Sequence, residues 1–184
     1  MRTIMQKIKK WVRSRGFTLI ELLVAIGILA VISSVTVLTL NPAELFKQSR
    51  DANRFSSLAS LRKAINLFQL NNGAPSAMGV QNVVYVSLPD SASNCSSWQL
   101  PDILPRTYQC VLPADLVKAN GSGWIPINFE GGGRSLLPAL PIDPVNSFDH
   151  TNPNSGYFYI YATDGAGKYE INAKTESVKY GSGN

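Results

Sequence analysis

The feature that most constrains this chain is an apolar run at residues 17–40, which carries one charged residue, Glu21, in 24 positions. A helix of this length spans about 36 Å, more than the roughly 30 Å hydrocarbon core of a bilayer. Secretory signals have a shorter apolar region, roughly 7 to 15 residues, before a small-residue cleavage site. This run is too long, and no such site follows it. We therefore expect a transmembrane helix that the mature protein retains.

The positive charge of the chain is concentrated in front of this run. Six of the 17 Lys and Arg residues precede residue 17 with no acid among them, so that 11 cations face 12 anions in the remainder. Positive residues on one flank of an apolar segment predict that this flank stays in the cytoplasm. The polar part should therefore be exported. The net charge of +5 does not indicate a nucleic-acid partner.

The sequence after the apolar run continues with helical periodicity. Pro42 predicts a kink, after which the helix should resume as an amphipathic continuation over 41–72. Asn72 and Gly73, followed by Pro75, predict its end. Residues 17–72 should thus form one long helix. Its apolar residues recur in steps of three and four at Phe55, Leu58, Leu61, Ile65 and Phe68.

The remaining 73–184 segment is rich in turn residues, with ten of the 11 prolines and 12 of the 14 glycines. Short apolar runs between them predict a β-rich head, with strands at 83–88 and 108–112 and a hairpin of 157–162 with 168–173. A domain of this size buries only a modest core alone, so the helix should cover the sheet. The predicted class is α+β, a long helix packed on a small antiparallel sheet.

Cys95 and Cys110 both lie in this predicted head. There is no second pair to complete a zinc site, so a disulfide that closes a surface loop is the favoured interpretation. A disulfide requires an oxidising compartment and therefore export. The alternative is two free, buried thiols.

The start of the apolar run resembles a known signal. The residues Arg15-Gly16-Phe17-Thr18-Leu19-Ile20-Glu21 are similar to the processing signal of type IV pilins and type II secretion pseudopilins. The resemblance implies the pilin fold and a leader, 1–16, that prepilin peptidase removes between Gly16 and Phe17. The same enzyme would then methylate the new amine of Phe17.

Glu21 is a carboxylate at membrane depth, which costs roughly 2.5 to 3.5 kcal/mol on insertion scales and indicates a function. The helix N-terminus and the protonated amine of Phe17 are its nearest cationic partners. The resemblance implies that Glu21 of an incoming subunit neutralises the Phe17 amine of the preceding one and sets the register of assembly. The alternative is a Glu21 side chain that reaches the interface.

Two later segments, 140–144 and 162–165, resemble parts of major pseudopilins, some of which bind calcium in this region. Asp143, Asp149 and Asp164 could supply oxygen ligands. However, no EF-hand spacing occurs, and Asp-Pro and Asp-Gly are common turn dipeptides. We favour turns over a metal site and assign no cofactor.

Nothing in the sequence indicates an enzyme. His150 is the only histidine, and the hydrolase, zinc-protease, dinucleotide and P-loop motifs do not occur. A catalytic dyad of His150 with one of the two cysteines would leave the other cysteine without a partner.

The resemblance therefore implies a structural subunit of a type IV pilus or pseudopilus. It should reside in the cytoplasmic membrane with its head exported, and then in an extracellular pilus or periplasmic pseudopilus. The implied partners are prepilin peptidase, other pilin subunits, the platform protein and the assembly ATPase. The alternative is a single-span membrane protein with an exported binding or enzymatic domain and an uncut leader.

Overall fold

The computed structural model describes residues 16–72, 74–131, 135–152 and 156–181, so the predicted leader lies outside the described residues except for Gly16. The chain divides into two compact units, Met1–Pro42 and Ala43–Asn184. The boundary falls where the apolar run ends and the polar sequence begins.

Two helices replace the single helix predicted for 17–72. Helix α1 spans Leu19–Leu40 and helix α2 spans Pro42–Asn72. Asn41 separates them in the left-handed conformation, with φ 41° and ψ 74°, which Asn tolerates better than most residues. Pro42 is then the first residue of α2, where its missing N–H costs no helical hydrogen bond. The kink predicted at Pro42 is therefore a break in the helix. The predicted cap at Gly73 lies outside the described residues.

A four-stranded sheet forms the centre of the second unit. Its strands are β1 Val83–Pro89, β2 Thr107–Val111, β3 Tyr159–Thr163 and β4 Tyr169–Ala173, in the order β2-β1-β3-β4. All four lie close to the predicted positions. Strand β3 is antiparallel to β1 and β4, whereas β1 and β2 are parallel. The sheet is thus mixed and not purely antiparallel. The connection 90–106 is long enough for the crossover that a parallel pair requires.

The apolar face of α2 packs on one face of this sheet, as predicted. Leu61, Ile65 and Phe68 are buried on the helix, and Tyr159 and Tyr161 are fully buried on β3. The core is completed by aromatic and aliphatic side chains of the segment between β2 and β3, namely Trp124, Ile125, Ile127, Phe129 and Leu140. Phe55, at the edge of the predicted stripe, is half exposed and contacts the ring of Tyr180.

The opposite face of the sheet, which we call the outer face, carries a second apolar cluster. Val84, Val86 and Leu88 of β1 are buried there together with Cys95 and Cys110. The 90–106 connection folds over part of this face, and the indole N–H of Trp98 donates to the carbonyl of Pro89 at 2.9 Å. The outer face is therefore covered at β2 and β1 by this connection.

Candidate functional site

The N-terminus of α1 is held by a reciprocal pair of hydrogen bonds. The N–H of Glu21 donates to the hydroxyl of Thr18 at 3.2 Å, and the N–H of Thr18 donates to Oε2 of Glu21 at 3.5 Å. This is a capping box, which satisfies two of the donors that a helix N-terminus leaves unpaired. Glu21 therefore has a local role in addition to the predicted register role, while Oε1 is left for another partner.

Gly16 and Phe17 precede this box and are exposed. A Cβ added at Gly16 would meet no described atom within 4 Å, and its φ lies outside the left-handed region that favours glycine. Neither packing nor backbone conformation within the described chain therefore requires a glycine at this position.

Helix α1 exposes apolar side chains on all sides from Leu19 to Thr36, and it is long and apolar enough to cross a membrane. Two of its hydroxyl groups bond within the helix: Ser34 donates to the carbonyl of Ala30 at 2.8 Å and Thr36 to that of Ile32 at 2.8 Å. Such internal hydrogen bonds suit a segment without water around it. A Cβ at Gly27 would also meet open space, which permits close approach of another helix.

The N-terminal geometry agrees with a family comparison. Residues 11–37 match the family model described as the prokaryotic N-terminal methylation motif. No curated protein matches the chain, and no solved structure does. The motif, the one apolar helix long enough to span a membrane among the described residues and the α+β head fit a membrane-anchored pilin-like precursor. The chain carries the signal of type IV pilins and pseudopilins, and this motif implies a structural, non-enzymatic protein.

The two cysteines are joined by a disulfide. It links Cys95, in the connection between the parallel strands, to Cys110 on β2, and the sequence separation is 15 residues. Neither sulfur is therefore a free thiol, which removes both the alternative of two free thiols and the Cys–His dyad. His150 is exposed at the surface. The disulfide fastens the connection to the outer face of the sheet.

The three aspartates considered as calcium ligands all accept hydrogen bonds within turns. Asp149 accepts from the N–H and hydroxyl of Thr151, and Asp164 accepts from the N–H groups of Ala166 and Lys168. Asp143 accepts from the N–H of Val145 at 2.9 Å. Within the described residues, no group of three His, Cys, Asp or Glu side chains is arranged to hold a metal ion.

Asp143 instead belongs to a buried charge cluster around Arg54. The guanidinium of Arg54 is fully buried and donates to Asp51, Asp143 and Glu176 at 2.5 to 2.8 Å. A second cation, Arg50, also donates to Glu176. Two cations thus lie among three carboxylates. Their ion pairs connect α2 with the turn at 143 and with a segment after β4. We call these five side chains the Arg54 cluster.

The surroundings of Asp51, Glu176 and Arg54 favour the ionised form of each of these three side chains. Burial disfavours the Asp51 carboxylate, but hydrogen bonds from the hydroxyl and N–H of Ser177, the N–H of Glu176 and the guanidinium of Arg54 outweigh it and lower its pKa. The hydrogen bond from Arg50 lowers the pKa of Glu176 despite its burial. Burial opposes the charge on Arg54, but its three carboxylate partners raise its pKa.

Two sets of residues at these sites are not among those predicted from the sequence. Thr18 is the cap of α1, and the pattern Thr-x-x-Glu before an apolar run is a sufficient signal for it. Asp51 precedes Arg54 by three residues, and Arg54 precedes Leu58 by four. Both charged residues therefore follow the same helical period as the apolar stripe, which places them on the buried face of α2. The partners far along the chain, Asp143 and Glu176, carry no local signal.

Proposed function

We propose that this chain is the precursor of a structural subunit of a type IV pilus or pseudopilus, cut after Gly16, methylated at Phe17 and assembled through its N-terminal helix. The observation that carries the proposal is the methylation motif at residues 11–37, which overlaps an apolar helix exposed on all sides. Such a surface requires lipid or other apolar helices around it. Prepilin peptidase and further copies of the chain are the implied partners.

The arrangement at the start of α1 supports this order of events. A cut between Gly16 and Phe17 leaves the apolar helix intact and places a protonated amine one turn from the Glu21 carboxylate. The capping box uses Oε2 of Glu21, so Oε1 can accept a hydrogen bond from the Phe17 amine of a neighbouring subunit. Pairing across subunits would offset the cost of keeping this carboxylate at membrane depth. The exported head would then form the surface of the filament.

Mass spectrometry of the protein extracted from membranes tests the processing. The expected mature chain begins at Phe17 and carries one added methyl group. An intact leader on all of the protein would favour the single-span membrane protein with an uncut leader and would refute the proposal.

Two glycine variants provide a matched test of the cleavage position. Gly16→Leu should leave the leader uncut without disturbing the head, because no described atom lies within 4 Å of the added Cβ. Gly27→Ala is the control, because its Cβ also meets open space, and it should be processed normally. Normal processing of Gly16→Leu would contradict cleavage at this residue.

A further inference from the structure

The outer face of the sheet has an open groove of about 770 Å³ beside the part that the 90–106 connection covers. Its floor is apolar, with side chains of Val84, Ile160 and Ala162 from β1 and β3. One wall is formed by residues 102–106 and the other by Glu170 and Asn172 of the edge strand β4. The groove lies entirely within the exported head.

The first wall is a tight turn with an apolar tip. The N–H of Arg106 donates to the carbonyl of Ile103 at 3.0 Å, which closes the turn around Leu104 and Pro105. Leu104 is 86% exposed, so the tip of the turn presents an apolar side chain to solvent. We call residues 102–106 the Leu104 turn.

The Leu104 turn carries opposite charges on its two sides. Asp102 precedes the tip by two residues and Arg106 follows it by two, and both are exposed. Within the described part of the chain, neither side chain makes an ion pair or a hydrogen bond. The turn thus presents an apolar tip between an unpaired anion and an unpaired cation.

We propose that the heads of two copies form a two-fold pair in which the Leu104 turn of each copy enters the groove of the other. The apolar tip matches the apolar floor. In a two-fold pair, each contact between two positions occurs twice with the roles exchanged. Asp102 of one copy can therefore face Arg106 of the second copy, and Arg106 can face Asp102 of the second copy. The charge pattern of the turn is complementary to itself in this arrangement.

The size of the groove predicts a weak pair. Stable interfaces bury about 800 Å² on each partner, and one turn and one groove provide less than this. Anchoring two copies in the same membrane raises their effective concentration and favours such a contact. A two-fold contact closes on itself and does not extend a filament. The pair is therefore distinct from the assembly through α1 and does not depend on it.

Crosslinking of the full chain in membranes tests the contact. Leu104→Cys places one thiol at the tip of the turn and keeps a small apolar side chain there, and a short bismaleimide should link two copies through it. The native protein is the blank because Cys95 and Cys110 are joined to each other. Val178→Cys is the matched control, since Val178 is 80% exposed and lies outside the groove. We expect several-fold more dimer from Leu104→Cys than from Val178→Cys, and equal yields would overturn the proposal.

Charge reversal tests the pairing of Asp102 with Arg106. In the Leu104→Cys background, Asp102→Arg and Arg106→Asp should each lower the dimer yield several-fold, because like charges then face each other twice. The double variant should restore the yield to within about twofold. Glu130→Arg, an exposed reversal elsewhere on the head, should leave it unchanged. A double variant that crosslinks as poorly as the single ones, with an unchanged unfolding temperature, would overturn the proposed pair.

Discussion

Arg54 and Asp143 form a bidentate ion pair in the interior of the head. The guanidinium donates from Nε to Oδ2 at 2.5 Å and from a terminal nitrogen to Oδ1 at 2.8 Å, across 89 residues of sequence. Both side chains are fully buried. Two parallel charge-assisted bonds fix the turn at Asp143 against α2 in one orientation.

Removal of Arg54 should destabilise the head strongly, because three carboxylates would lose a buried cation. We expect Arg54→Met to lower the free energy of unfolding by about 3 to 5 kcal/mol. Urea titration of the detergent-solubilised chain, followed by the fluorescence of buried Trp124, measures this change. Arg62→Met, an exposed site on the same helix, is the control and should change it by less than about 0.5 kcal/mol. Similar effects of the two variants would contradict the structural role of the Arg54 cluster.

Acid should weaken the head through the same cluster. Asp51 and Glu176 have lowered pKa values in the folded state. Their ionisation therefore contributes stability that is fully present above the pKa values of the unfolded chain, about 3.9 to 4.3. This stability is lost as the pH falls through the pKa values of the folded state. The unfolding temperature should therefore change little between pH 7 and pH 5, and it should decrease when the pH is lowered below about 4.

Hydrogen bonds also lower the pKa values of Asp90, Asp149 and Asp164, so these carboxylates contribute to the loss of stability in acid as well. The Glu176→Gln variant isolates the contribution of Glu176. The variant should be less stable than the native chain at pH 7 and should lose less stability between pH 5 and 3. Parallel pH profiles for the two proteins would show that Glu176 does not contribute.

Loss of the disulfide should destabilise the head without affecting processing. A crosslink that closes a loop of about 15 residues stabilises a fold by about 3 kcal/mol in the chain-entropy account. We expect the Cys95→Ser/Cys110→Ser variant to lose stability of this order, measured by urea titration. Reductant should reproduce the loss in the native chain and leave the double variant unchanged. A native chain that is insensitive to reductant would contradict this prediction.

The two roles of Glu21 can be separated by substitution. Glu21→Gln retains a side chain that suits a capping box but has no charge, so the chain should be processed and fail to assemble into filaments. Thr18→Ala retains the charge and loses the cap, at about 1 kcal/mol of helix stability, and should still assemble. Electron microscopy of sheared filaments and the mass of the processed chain measure the two outcomes. Full assembly of Glu21→Gln would exclude the charge as the register element.

The features that the sequence predicted are those with local causes. The stripe of Leu61, Ile65 and Phe68 follows from a short-range period, and the Asp164 turn locates the hairpin of β3 and β4. The parallel pairing of β1 with β2 was missed, because alternation within a strand carries no information on its direction. The burial of Arg54 was missed for a similar reason, since its hydropathy indicates the surface and its partners lie far along the chain.

The Arg54 cluster also limits when the head can fold during synthesis. The carboxylate of Asp51 accepts from the N–H groups of Glu176 and Ser177, which are 125 and 126 residues downstream. During synthesis, Asp51 leaves the ribosome well before these two donors, so its hydrogen bonds to them can form only after Ser177 has emerged. The Arg54 cluster, and with it the joining of α2 to the segment after β4, can therefore be completed only once the head has been synthesised as far as Ser177.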